Sequence, residues 1–205
     1  MNDKENKKKA SSEIYEINND YIKDIKKGIK VGKKEIKKDI KASIKEIKEN
    51  EKGIIRSINK RIEGLKENSE QLKLKINQRV ENAEEHIRDL GPLARGSVED
   101  VRKQGQEYKE EVNDHFYDTE NLAKEIKKEI KEDARIMREQ IQARGDNFNA
   151  GVEYLKKELE NAGESYQSHD YYENRLTRHI EDTRMRIEKD IIDFEKSIGN
   201  RLNRF

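Results

Sequence analysis

Isoleucine recurs through the first third of the chain with spacings of three, four and four. Slots stepped this way from Ile22 fall at twelve positions. Ten of the twelve hold isoleucine: Ile22, Ile25, Ile29, Ile36, Ile40, Ile44, Ile47, Ile55, Ile58 and Ile62. Lys33 and Glu51 fill the other two. A heptad register begun at Ile22 meets apolar residues at only four of twelve slots, so the period is eleven and not seven. Eleven residues in three turns is close to the 3.6 per turn of an α-helix, which keeps the stripe on one face with little drift. The pattern predicts a straight or slightly right-handed helix, where heptads would impose left-handed supercoiling. Isoleucine is β-branched and a modest helix former, so its repeated use points to burial.

The same period returns in a new phase. Ile126, Ile130, Ala134, Met137, Ile141, Phe148, Val152, Leu155 and Leu159 continue it, and so do Leu176, Ile180, Ile187, Ile191, Phe194, Ile198, Leu202 and Phe205. Residues 1–12 read as a disordered polar tail. Ser11 or Ser12 is placed to cap a long basic amphipathic helix over 13–90. Gly91-Pro92 ends that helix: the residue before proline avoids the α region and glycine serves as a C-cap. A turn over 91–97 then leads into amphipathic helices over 98–205, with a weak break near 161–170. The predicted class is all-α: very long amphipathic helices of eleven-residue periodicity, turning near Gly91-Pro92 into an elongated helical hairpin or loose bundle. A kink within one rod is the competing reading of Pro92. A faint internal repeat relates Glu35–Lys41 to Glu125–Lys131.

Composition narrows the picture. Of 205 residues, 43% are charged and 31% hydrophobic, too few apolar residues for a thick globular core but enough for helices that each bury one stripe. With no cysteine, disulfides and thiolate metal sites are excluded. No apolar run approaches a membrane span. Met1–Ser12 is polar and lysine-rich without a following apolar stretch, so no secretory signal is expected. Cytoplasmic residence, peripheral to membranes, is the expectation.

Charge is unevenly distributed. Residues 22–62 carry 15 Lys/Arg against 6 Asp/Glu, a net +9, while the whole chain is +1. Such a segment expects an anionic surface or an acidic partner half within the same molecule. On an eleven-residue wheel, Lys23, Lys26, Lys27, Lys30, Lys34, Lys37, Lys38, Lys41 and Lys45 fall on one side of the isoleucine stripe. Asp24, Glu35, Asp39 and Glu46 fall on the other, with Gly28, Gly32, Ala42 and Ser43 among them. Lys124, Lys127, Lys128 and Lys131 oppose Glu125, Glu129 and Asp133 in the same way. A helix sorted like this suits lateral packing, in which charge selects register and burial supplies affinity. A solvated face with ordinary i,i+4 pairs is the plainer alternative.

Residues that carry chemistry are sparse. His86, His115, His169 and His179 share no metal-ligand spacing, and no phosphate-binding glycine motif occurs. The carboxylates lie on helical faces without the burial that tunes a catalytic group. Tyr166, Tyr171 and Tyr172 sit among Ser, Gln, His and Asp, which suits a helix junction better than a nucleic-acid platform. No enzyme activity, cofactor or metal is expected, and nucleic acid is a poor candidate partner.

Long charged helices with eleven-residue repeats and a proline break resemble the exchangeable apolipoproteins of the A/E type. The stretch from Arg61-Ile-Glu-Gly-Leu-Lys66 through Ile87-Arg-Asp-Leu-Gly-Pro92 carries most of that look. The resemblance implies helices that lie on a lipid surface and form a loose bundle without lipid. Two functions follow. In the first, the chain binds lipid or an anionic membrane surface, the stripe dipping into the interface and the lysines meeting headgroups. In the second, it is a coiled-coil-like structural scaffold assembling with another amphipathic helix, or with itself, through the stripe and the sorted charges. The stripe is narrow, about three slots in eleven, which suits a seam between helices.

Overall fold

The computed structural model describes residues 3–91, 95–161 and 169–204, and the side chains of 20–91, 96–161 and 170–204. The fold is all-α. Helix α1 spans Asp3–Asp89, α2 Arg95–Asn161 and α3 His169–Leu202, with no strand among the described residues. The longest helix is the one before Gly91, as the stripe requires.

Helix α1 begins at Asp3, upstream of the Ser11/Ser12 cap expected from sequence. Residues 3–12 contain no glycine or proline, and four of the ten are lysine, a good helix former. Once a helix exists, each such residue adds a hydrogen bond at little cost, so it extends past a local capping signal. At the other end the last turn tightens: Leu90 N–H donates to Ile87 O and Gly91 N–H to Arg88 O, both at 3.1 Å. Gly91 has φ of +95°, the left-handed region where a Cβ is penalised. Pro92 lies outside the described residues. The next helix starts at Arg95, before Gly96 and Ser97. Of the weak break expected near 161–170, residues 162–168 lie outside the described residues; α2 ends at Asn161 and α3 begins at His169.

The chain divides into two compact units, Met1–Glu49 with Asp133–Ser197 and Asn50–Glu132 with Ile198–Phe205. In the first, three helices pack around one apolar seam. Antiparallel pairing of α1 and α2 follows from Lys26 meeting Glu160, Lys33 meeting Glu153, and Ile40 lying over Gly145. Parallel pairing of α1 and α3 follows from Gly28 facing Leu176, Gly32 facing Ile180 and Asp39 meeting Arg184. Ile36 and Ile47 of α1, Ile141, Phe148 and Val152 of α2, and Phe194 of α3 are almost fully buried there. Arg144 of α2 and Asp190 of α3 add a two-pronged pair at 3.1 and 3.3 Å.

In the second unit, α1 and α2 again run antiparallel. Glu84 meets Arg102 at 2.7 and 2.8 Å, Val80 lies over Gly105, and Lys127 donates to Asn59 at 2.9 Å. The chain therefore reverses direction within this unit, and a kinked single rod is excluded. The final turn of α3 closes one end, where Leu202 packs with Ile54, Ile62 and Leu122 around Ile58, Ala123, Ile126 and Ile130.

Candidate functional site: the lysine edge of α1

The isoleucine stripe is the core of its own chain. Ile25, Ile29, Ile36, Ile40, Ile47 and Ile58 are buried, and Ile22, Ile44, Ile55 and Ile62 are half-buried. Val31, off the stripe, is 50% exposed. The later stripes behave alike: Ile126, Ile130, Ala134, Leu155, Leu159, Leu176, Ile187 and Ile198 are buried, whereas Phe205 lies outside the described residues.

The buried face of α1 is wider than the isoleucine slots. Gly32 and Ser43, eleven residues apart, are also buried. A Cβ built on Gly32 would lie 2.8 Å from Ile180 Cδ1, and one on Gly28 would lie 3.3 Å from Leu176 Cδ2. Ala42 is exposed, but Gly28 and Gly32 lie against α3 and Ser43 is buried one period further on. Sequence reasoning placed them with the polar flank, although their spacings of four and eleven carried the signal.

Charge sorting has a partner inside the molecule. The acidic flank of α1 faces α3, where Arg184 reaches Asp39 at 2.8 Å and Glu35 at 3.1 Å. Asp39 is the main reason the Arg184 guanidinium is held more basic than usual. On the other flank, Lys26 meets Glu160 at 2.9 Å and Lys33 meets Glu153. Hydrogen bonds from these two lysines hold both glutamates below the ordinary carboxylate value of 4.5. The acidic flank of α2 does the same in the second unit, where Glu129 accepts from Arg201 and from Arg204. The arginines of α3 and its C-terminal end that pair with these acids were not singled out from sequence, because nothing local marks which arginine faces inward.

The rest of the basic edge is left over. Lys23, Lys27, Lys30, Lys34, Lys37, Lys38, Lys41 and Lys45 are exposed, and Lys26 is half-buried. Lys23 and Lys45 pair only along their own helix, with Asp20 and Glu49. Lys27, Lys30, Lys34, Lys37, Lys38 and Lys41 make no ion pair among the described residues. The edge from Lys23 to Lys45 is about 33 Å long at 1.5 Å per residue.

The other candidate groups have structural surroundings. His86 is exposed, with Nδ1 3.1 Å from Asn82 O, and His179 stacks on Phe148 with centroids 5.2 Å apart. His169's side chain is outside the described residues. No cluster of His, Asp and Glu able to hold a metal occurs among the described residues. Tyr172 is buried at the start of α3 with Tyr171 edge-on to it and Arg175 over the Tyr171 ring. Tyr166 lies outside the described residues. No helix is long and apolar enough to cross a membrane among the described residues. Comparison with protein-family models, characterised proteins and solved structures gives no match.

Proposed function

We propose that this chain is a non-enzymatic helical scaffold that folds around its own isoleucine stripe and docks on an anionic surface through the lysine edge of α1. Anionic lipid headgroups are the leading partner. The observation that carries this reading is the asymmetry of charge use. Glu35 and Asp39 of α1 pair with Arg184 on α3, and Lys26 and Lys33 pair with acids on α2, whereas six consecutive edge lysines make no ion pair among the described residues. Each lysine near an anionic membrane contributes about 1 kcal/mol, so six suffice for attachment without inserting an apolar face. The apolipoprotein resemblance implies insertion of the stripe. Here the stripe is occupied as core, so insertion would require the three-helix packing to open first.

The test is co-sedimentation with vesicles. The wild type should bind phosphatidylserine-containing vesicles, release in high salt, and ignore neutral vesicles. Reversing Lys30, Lys37 and Lys41 to glutamate should abolish binding with helicity unchanged. Binding to neutral vesicles as strong as to anionic ones would refute the electrostatic reading.

A further inference from the structure

The α1–α2 hairpin of the second unit is only partly covered. From Leu65 to Leu90 on α1 and from Gly96 to Leu122 on α2, no hydrophobic side chain is buried. The stripe nevertheless continues through Ile76, Val80, Val101 and Val112, each half-buried. Burial tracks the third helix: the same two helices bury Ile58, Ala123, Ile126 and Ile130 where Leu202 lies over them. Past that point a groove of about 380 Å³ opens, lined by Leu65, Ser69, Leu72, Val112 and Phe116. Leu72 is 49% exposed, and Ser69 is 7% exposed with its hydroxyl lacking a hydrogen-bond partner.

The two rims of this groove carry opposite charge. Lys75 and Arg79 follow Leu72 by three and seven residues and share its side of α1. Glu111 lines the groove on α2, and Glu107 lies one turn before it. Lys75, Arg79 and Glu111 are exposed and make no ion pair among the described residues, while Glu107 meets Lys103 at 3.9 Å. The contacts of Glu84 with Arg102 and Val80 with Gly105 put the basic rim level with the acidic rim inside one copy.

We propose that this groove seats a second copy of the same chain, two hairpins closing face to face as a four-helix bundle. A two-fold axis parallel to the helices lays α1 of each copy beside α2 of the other, antiparallel and at the same level. Lys75 and Arg79 of one copy then meet Glu107 and Glu111 of the other, and the contact is made twice. The apolar surface of Leu72 and Phe116 is covered in the same step. Anionic lipid is disfavoured here because Glu107, Glu110, Glu111, Asp114 and Asp118 crowd the α2 side. The inference is independent of the lysine edge, which belongs to the other unit.

Sedimentation equilibrium of the full chain tests it. The protein should form dimers at micromolar concentration. Leu72→Glu, and separately Lys75→Glu with Arg79→Glu, should weaken the dimer at least about tenfold. All these positions are exposed, so circular dichroism should report unchanged helicity. Adding Glu107→Lys and Glu111→Lys to the double reversal should restore affinity to within about threefold, the signature of direct pairing. A chain monomeric up to about 100 µM would overturn the proposal. So would self-association that these substitutions leave unchanged, or a monomer whose vesicle binding depends on Leu72.

Discussion

A glycine in the middle of a helix costs about 0.5–1 kcal/mol relative to alanine, so each one retained over a long helix invites a reason. Space supplies it at some positions and not at others. A Cβ on Gly151 would overlap the His179 ring, which is itself stacked on Phe148. At Gly53 a Cβ would meet nothing within 4 Å. Gly53→Ala should therefore stabilise by about 0.5–1 kcal/mol in urea unfolding, the propensity difference alone. Gly151→Ala should destabilise by about 1–3 kcal/mol, because a ring on a packed helix cannot swing aside as a flexible chain end does. Equal effects of the two changes would mean that α2 and α3 do not approach as described. A glycine at a helix contact and a glycine on a helix surface look identical in one sequence. Only the neighbouring helix separates them.

At the scale of the helices, the eleven-residue stripe foretold most of the architecture. Ile36→Ala or Ile126→Ala should cost about 2–5 kcal/mol, since both side chains are almost fully buried, whereas Val31→Ala should cost little. Equilibrium unfolding of the three variants checks the ordering. The stripe was legible because isoleucine is the main apolar residue in that window and its spacing matches helical geometry. Less legible was the lane of Gly28, Gly32 and Ser43: small residues bury against a neighbour without raising hydrophobicity. The partners of Glu35 and Asp39 were hidden too, because they lie on α3, remote in sequence. These interhelix pairs also set a pH dependence. Glu153 and Glu160 are more acidic when folded than the ordinary 4.5, so the unfolded chain binds protons first. Their contribution is complete above that value and is lost as pH falls through the depressed folded value. Lys26→Met with Lys33→Met should lower stability slightly at neutral pH, these pairs being solvent-exposed, and leave the acid end unchanged, so that the acid limb of a stability–pH curve flattens by that same small amount.

For the molecule as a whole, a net charge of +1 conceals a division of labour. Glu35, Asp39, Glu153 and Glu160 are matched to basic groups on a neighbouring helix, and the surplus positive charge of residues 22–62 is gathered on one exposed edge. The account's central claim is that this edge, and not the isoleucine stripe, meets the anionic surface. The chain has no tryptophan, so a single indole at Val31, exposed beside Lys27, Lys34 and Lys38, reports from the border of that edge. Fluorescence of Val31→Trp, titrated with anionic and with neutral vesicles, is the most direct measurement. The account predicts a blue shift with anionic vesicles that high salt reverses, and no change with neutral ones. Vesicle binding without any change at the position 31 indole would contradict it, as would a shift of equal size on neutral lipid.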